Sequence, residues 1–201
     1  MKHLRTFALA VMAAMALLAF GAGTASATTL ENGTSPFTHP TEIVASLNGS
    51  AKLTALDGTL LATCTGGGVS GPVTQTGSST TTVKGTVAAA GLTWSGCSQT
   101  THTLQGGELE IHHIAGTSNG TVTGTTFEVT VAILGVSCTY GLSTADTMVH
   151  LATLKGDDHT ALMEINKTVV KRAGSFICPG ETKWVANYHV TSPTGLTVTA
   201  G

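Results

Sequence analysis

From Glu42 to Gly201 no stretch of the chain sustains a helical period, and apolar residues recur at every second position instead. In "FEVTVAIL", Phe127, Val129, Val131 and Ile133 fall on one face and Glu128 and Thr130 on the other. In "WVANYHV", Trp184, Ala186, Tyr188 and Val190 stand opposite Val185, Asn187 and His189. Successive strand side chains project to opposite sides, so this period specifies half-buried strands. The abundant Thr and Val agree, because β-branched side chains fit a pleated surface. Asn48-Gly49, Asp57-Gly58 and Asn119-Gly120 interrupt the runs. Such pairs tolerate the positive φ of a type I′ turn, so each reads as a hairpin signal. The segment "HLATLKGDDHTALMEI" is the strongest helical challenger, but its central Gly156-Asp157-Asp158 favours two strands around a turn. Short strands separated by turns predict an all-β fold, an antiparallel β-sandwich of immunoglobulin-like or jelly-roll-like form. Trp94 lies only three residues before Cys97, closer than the immunoglobulin core arrangement places its tryptophan.

The amino end has a different texture. Lys2 and Arg5 precede an apolar run from Phe7 to Phe20, followed by Ala25-Ser26-Ala27. That is the pattern of a secretory signal peptide over residues 1–27, cleaved after Ala27. The run is too short to be read as a membrane span, and no second run follows. Residues 28–42 are polar, hold two prolines and show no period, so they read as a flexible leader to a single domain over residues 43–201. Lys2 and Arg5 leave with the signal, which sets seven basic residues against eleven acids and a mature net charge of −4. No basic stripe is present, which excludes a nucleic-acid footprint. Charged residues make up only 10% of the chain, so solubility rests on Thr, Ser, Asn and Gly.

Four cysteines remain after the signal: Cys64, Cys97, Cys138 and Cys178. An even number in an exported chain argues for two disulfides. No C-x-x-C spacing suggests a zinc knuckle. Three pairings are open. A faint repeat, "LLATCTGG" against "LGVSCTYG", each followed later by a second cysteine, favours Cys64 with Cys97 and Cys138 with Cys178.

The residues with chemical potential are few. "ELEIHHI", Glu108 to Ile114, places two acids beside two histidines. In a strand His112 and His113 face opposite sides and cannot share a metal, whereas Glu110 and His112 share a face and could supply two ligands to zinc or copper. A surface Glu–His pair is the plainer reading. His102, His150, His159 and His189 are scattered one per segment. "KGDDH" lacks the oxygen ladder of a calcium loop and reads as a turn. No G-x-S-x-G elbow, P-loop or dinucleotide fingerprint occurs, and bridged cysteines make poor nucleophiles. Asn32, Asn48, Asn119 and Asn166 stand in glycosylation sequons of the kind that arise by chance in such a composition. No cofactor is expected.

"LEIHHIAGTSNGTVTG", "VSCTYG" and the closing "WVANYHVTSPTGLTVTA" resemble small secreted Thr/Gly-rich, four-cysteine β-proteins of actinobacteria, a group with no assigned activity. The resemblance runs from about Asn48-Gly49 onward. It implies export and a disulfide-stapled β-fold, and it carries over no catalytic residue. The expected function is therefore a secreted, non-enzymatic binding or structural module at the cell envelope or outside the cell. Its expected partner is cell-wall polysaccharide or another envelope protein, with Trp94, Trp184 and Tyr188 as candidate anchors unless they are core. The alternative is a secreted metal-binding or hydrolytic protein using Glu110 and His112.

Overall fold

The computed structural model describes residues 27–33, 35–37, 41–142, 148–157 and 159–201. The signal-peptide reading therefore falls, apart from Ala27, outside the described residues. Within them the protein is all-β with no α-helix. The first strands are β1 (Thr29–Asn32), β2 (Ser35–Pro36), β3 (Glu42–Leu47), β4 (Ala51–Ala55) and the long β5 (Leu60–Gln75). There follow β6 (Val83–Val87), β7 (Leu92–Cys97), β8 (Thr101–Gln105), β9 (Gly107–His113) and β10 (Gly120–Gly124). The last are β11 (Glu128–Ile133), β12 (Val136–Gly141), β13 (Val149–Lys155), β14 (Leu162–Ala173), β15 (Glu181–Ser192) and β16 (Leu196–Thr199).

The sheet closes. Strand β3 pairs with β5, β5 with β6, β6 with β9, β9 with β10 and β10 with β13, all antiparallel. Strand β13 pairs with β14, β14 with β15, and β15 returns to β3, where His189 stands opposite Ser46. This ring of eight strands is a β-barrel, which corrects the expected β-sandwich. The alternation of inward and outward residues is the same in both architectures. Only the pairing of strands at opposite ends of the chain distinguishes them, and no local period encodes it.

Strands β4, β7, β8, β11 and β12 lie outside this ring, and the register places them as its continuation at one end. Strand β5 carries β3 along Gly68–Pro72 and β4 along Leu60–Cys64. Strand β15 carries β3 and then β4 on one edge, and β14 carries β13 and then β12. Strand β7 follows β6 along β5, and β11 joins β12 to β8. Between β7 and β8 there is no backbone ladder. The two are latched through Thr103, whose hydroxyl donates to the Leu92 carbonyl at 2.6 Å and accepts from the Trp94 indole at 3.0 Å. Gly106 marks the bend from β8 to β9, where a Cβ would meet the Val87 carbonyl oxygen at 1.9 Å.

Both disulfides lie in this extension. Cys64 on β5 bonds Cys97 directly opposite on β7, and Cys138 on β12 bonds Cys178 in the β14–β15 loop. The pairing within halves favoured by the repeat is thus the one observed. We call this end the rim. The opposite end is capped by the small sheet of β1, β2 and β16, which buries Leu30, Leu196 and Val198. The cap is tied down by the Val198 N–H to Ser118 carbonyl bond and by the Asp157 N–H to Leu196 carbonyl bond. Residues 29–32 were expected in a flexible leader. They form a strand instead, and four residues are too few to display a period.

The turn signals divide. Asp57-Gly58 does head the β4–β5 hairpin, with Gly58 at φ 91°. Asn48-Gly49 joins β3 to β4, which do not pair with each other, so it bends one edge rather than folding a hairpin. Asn119-Gly120 closes a wider turn, across which the Ile114 N–H bonds the Asn119 carbonyl. "KGDDH" lies at the β13–β14 connection, where the Asp157 carboxylate accepts from the His159 and Thr160 N–H groups, which holds its pKa below the usual carboxylate value.

Candidate functional site

Because the chain closes into a barrel, its inward residues line one lumen. Eight strands leave an interior that side chains can fill or that can hold one small ligand. Among the described residues the lumen holds a cavity in each half. In the capped half a cavity of about 80 Å³ is lined by aliphatic groups such as Ile43, Val83, Leu109, Val122, Met163 and Leu196. In the rim half a cavity of about 50 Å³ is lined by Trp94, Trp184, Tyr140, Phe127, Val129 and Val131, among others. The faces read from "FEVTVAIL" and "WVANYHV" are the ones turned inward.

Two of the residues that line the rim-half cavity carry buried donors. Among the described residues, the Tyr140 hydroxyl and the Trp184 indole N–H are buried without a hydrogen-bond partner. Tyr140 is 3% exposed. Its burial pushes the phenol up to about 12, so it stays a neutral donor across the physiological range. A buried donor left unpaired costs about 1–3 kcal/mol, and native structures leave few of them. Trp94 and Trp184 pack at 5.9 Å between ring centroids, tilted by 58°. The Trp94 N–H is used by Thr103, so the two indoles differ: one is hydrogen-bonded and one is buried without a partner. The Tyr188 hydroxyl also lacks a partner, but Tyr188 lies outside this lining and is 1% exposed, fully core. Neither tryptophan nor Tyr188 forms an outward platform.

The sequence-selected pair sits elsewhere. Glu110 and His112 do share the outer face of β9, with the carboxylate 3.6 Å from the His112 Nε2. Lys84, directly opposite Glu110 on β6, places its ammonium 2.7 Å from the same carboxylate. That hydrogen bond raises the Lys84 pKa. His113 faces the other way, its Nε2 2.7 Å from the Thr117 carbonyl oxygen. Among the described residues no three His, Cys, Asp or Glu side chains converge to hold a metal ion. His189 lies against Asn48 at 3.0 Å and His159 against Asp157 at 3.9 Å, and neither joins Glu110. What this wall offers chemically is an ion pair. Lys155–Glu164 at 2.7 Å and Arg172–Glu128 at 2.9 Å are further ion pairs of the same kind.

Tyr140 escaped the sequence reading. Cys138, Tyr140 and Leu142 alternate in "VSCTYGL", but an inward tyrosine becomes notable only once folding leaves its hydroxyl without a partner. No described helix is long and apolar enough to cross a membrane. No known protein family matches the chain, and neither the curated proteins nor the solved structures include a match to it.

Proposed function

We propose that the chain is a secreted, non-enzymatic binding module acting at or outside the cell envelope, whose rim-half cavity takes a small apolar molecule bearing a hydrogen-bond acceptor. The observation that carries this reading is the pair of unpartnered buried donors, Tyr140 Oη and Trp184 Nε1, on residues that line one apolar cavity. An acceptor atom that reaches either donor would relieve the cost of leaving it buried and unpaired. Export is supported by the signal-like amino end and by two disulfides, which persist in oxidising compartments. The inward tryptophans move the reading away from polysaccharide, which would need aromatic rings on the outside.

A water needs roughly 10–15 Å³ of such space, so the cavity suits a ligand of about the size of a six-membered ring. Cyclohexanone and cyclohexane are the matched probes, followed by tryptophan emission and by calorimetry. The ketone is expected to bind roughly tenfold more tightly, the equivalent of one hydrogen bond of about 1.4 kcal/mol. Tyr140→Phe together with Trp184→Phe should abolish that preference. The tyrosine hydroxyl has no partner to lose, so Tyr140→Phe alone should fold normally. Equal binding of ketone and hydrocarbon, or no binding of either up to their solubility, contradicts the reading.

A further inference from the structure

Among the described residues six large apolar side chains are exposed: Leu56, Leu60, Leu104, Leu134, Phe176 and Ile177. All but Leu104 stand on the turns of the rim. Leu56 and Leu60 flank the β4–β5 turn, Leu134 heads the β11–β12 turn, and Phe176 and Ile177 occupy the β14–β15 loop. Strand pairing makes these three turns neighbours, because β12 lies beside β14 and β15 beside β4. Folding alone does not account for them. Leu134 is 83% exposed and holds φ at 50°, a left-handed conformation that favours Asn, Asp or Gly in a two-residue hairpin. An apolar residue kept at a strained, solvated position is an outlier that points to function. Phe176 is 93% exposed, and its loop is pinned on both sides: Cys178 is bridged to Cys138, and the Lys171 ammonium donates to the Ser175 and Cys178 carbonyls.

We propose that the rim is a membrane-contact surface, whose three apolar tips insert into the headgroup and acyl boundary of a lipid bilayer. Two features select a bilayer over a protein. The tips stand on three separate turns, spaced by two strand widths or about 10 Å, rather than on one continuous face. A fluid phase accepts such points without shape complementarity. The charged side chains that flank the tips in sequence, Asp57, Lys171, Arg172, Glu181 and Lys183, are of both signs, so the rim carries no single-sign field to dock a charged partner. The inference uses residues other than those of the lumen and stands without the ligand reading.

The test is flotation of the mature protein with phosphatidylcholine vesicles at low and high salt. The protein is expected to float with the vesicles at both, and Leu134→Asn with Phe176→Ser should lower the bound fraction at least tenfold. Asn suits the left-handed position, so Leu134→Asn alone should keep or raise the thermal midpoint while weakening binding, which separates lost contact from lost fold. The proposal is overturned if the wild-type protein stays with the buffer, or if the double variant floats equally well. Flotation only with anionic vesicles, released by salt, overturns it as well. So does a wild-type dimer, without vesicle binding, that the double variant converts to a monomer.

Discussion

In the capped half of the barrel each strand of the ring is hydrogen-bonded to both neighbours. In the rim half the ring is interrupted between β7 and β8, and both disulfides stand there. The difference shows what a cross-link is for in this fold. A closed ladder has no edge and leaves no backbone group unpaired, so hydrogen bonds and aliphatic packing suffice. An interrupted ladder has two edges. Beside the break, Cys64–Cys97 staples β7 to β5, while Cys138–Cys178 clamps β12 to the β14–β15 loop. The halves also divide the chemistry. The capped cavity is aliphatic, whereas the rim half holds both tryptophans, the unpartnered Tyr140 hydroxyl and the exposed tips.

The largest effect that would break this comparison comes from removing the bridges. They close chain segments with sequence separations of 33 and 40 residues. Loops of that size predict a loss of about 3–4 kcal/mol for each bridge replaced by serines, read by denaturant unfolding. Amide exchange should then accelerate in β7, β8, β11 and β12 well before β9, β10 and β13. Uniform acceleration across both halves would show that the bridges staple the whole barrel instead. A smaller effect sharpens the same contrast at the break itself. Thr103→Val leaves the Trp94 indole N–H and the Leu92 carbonyl without their partner. It should cost about 1–2 kcal/mol and shift tryptophan emission, with β9 and β10 exchanging as before. Unchanged stability would mean that β7 and β8 are held by packing alone.

Much of the wall was legible in the sequence, and the way the wall closes was not. Period-two alternation identified the inward faces of "FEVTVAIL" and "WVANYHV" because a strand's face is a local property. The cysteine pairing was readable because the repeat placed partners in matching settings. Closure is not local: His189 meets Ser46 across 143 positions of chain, and nothing near either residue marks the other. The same limit hid the candidate site. Glu110 and His112 attracted notice because their side chains advertise ligand chemistry, yet on the outer wall Lys84 takes the carboxylate. Tyr140 carries no such advertisement, and Trp184, named as a candidate anchor for its ring, gives no sign in the sequence of an unpartnered N–H. What makes them a site is the partner each lacks, and that absence is a property of the assembled lumen. Leu134 is intermediate: Leu134-Gly135 departs from the usual turn chemistry in plain sight, but its exposure emerges only with the fold.

Closure of the ring between β15 and β3 is the claim on which lumen, cavity and rim all depend. Ser46→Cys with His189→Cys would place two thiols directly opposite each other across that seam, as Cys64 and Cys97 are across theirs. After oxidative refolding, peptide mapping should recover a third bridge joining positions 46 and 189 beside the two native ones. Recovery of both native bridges with positions 46 and 189 as free thiols would contradict a closed barrel.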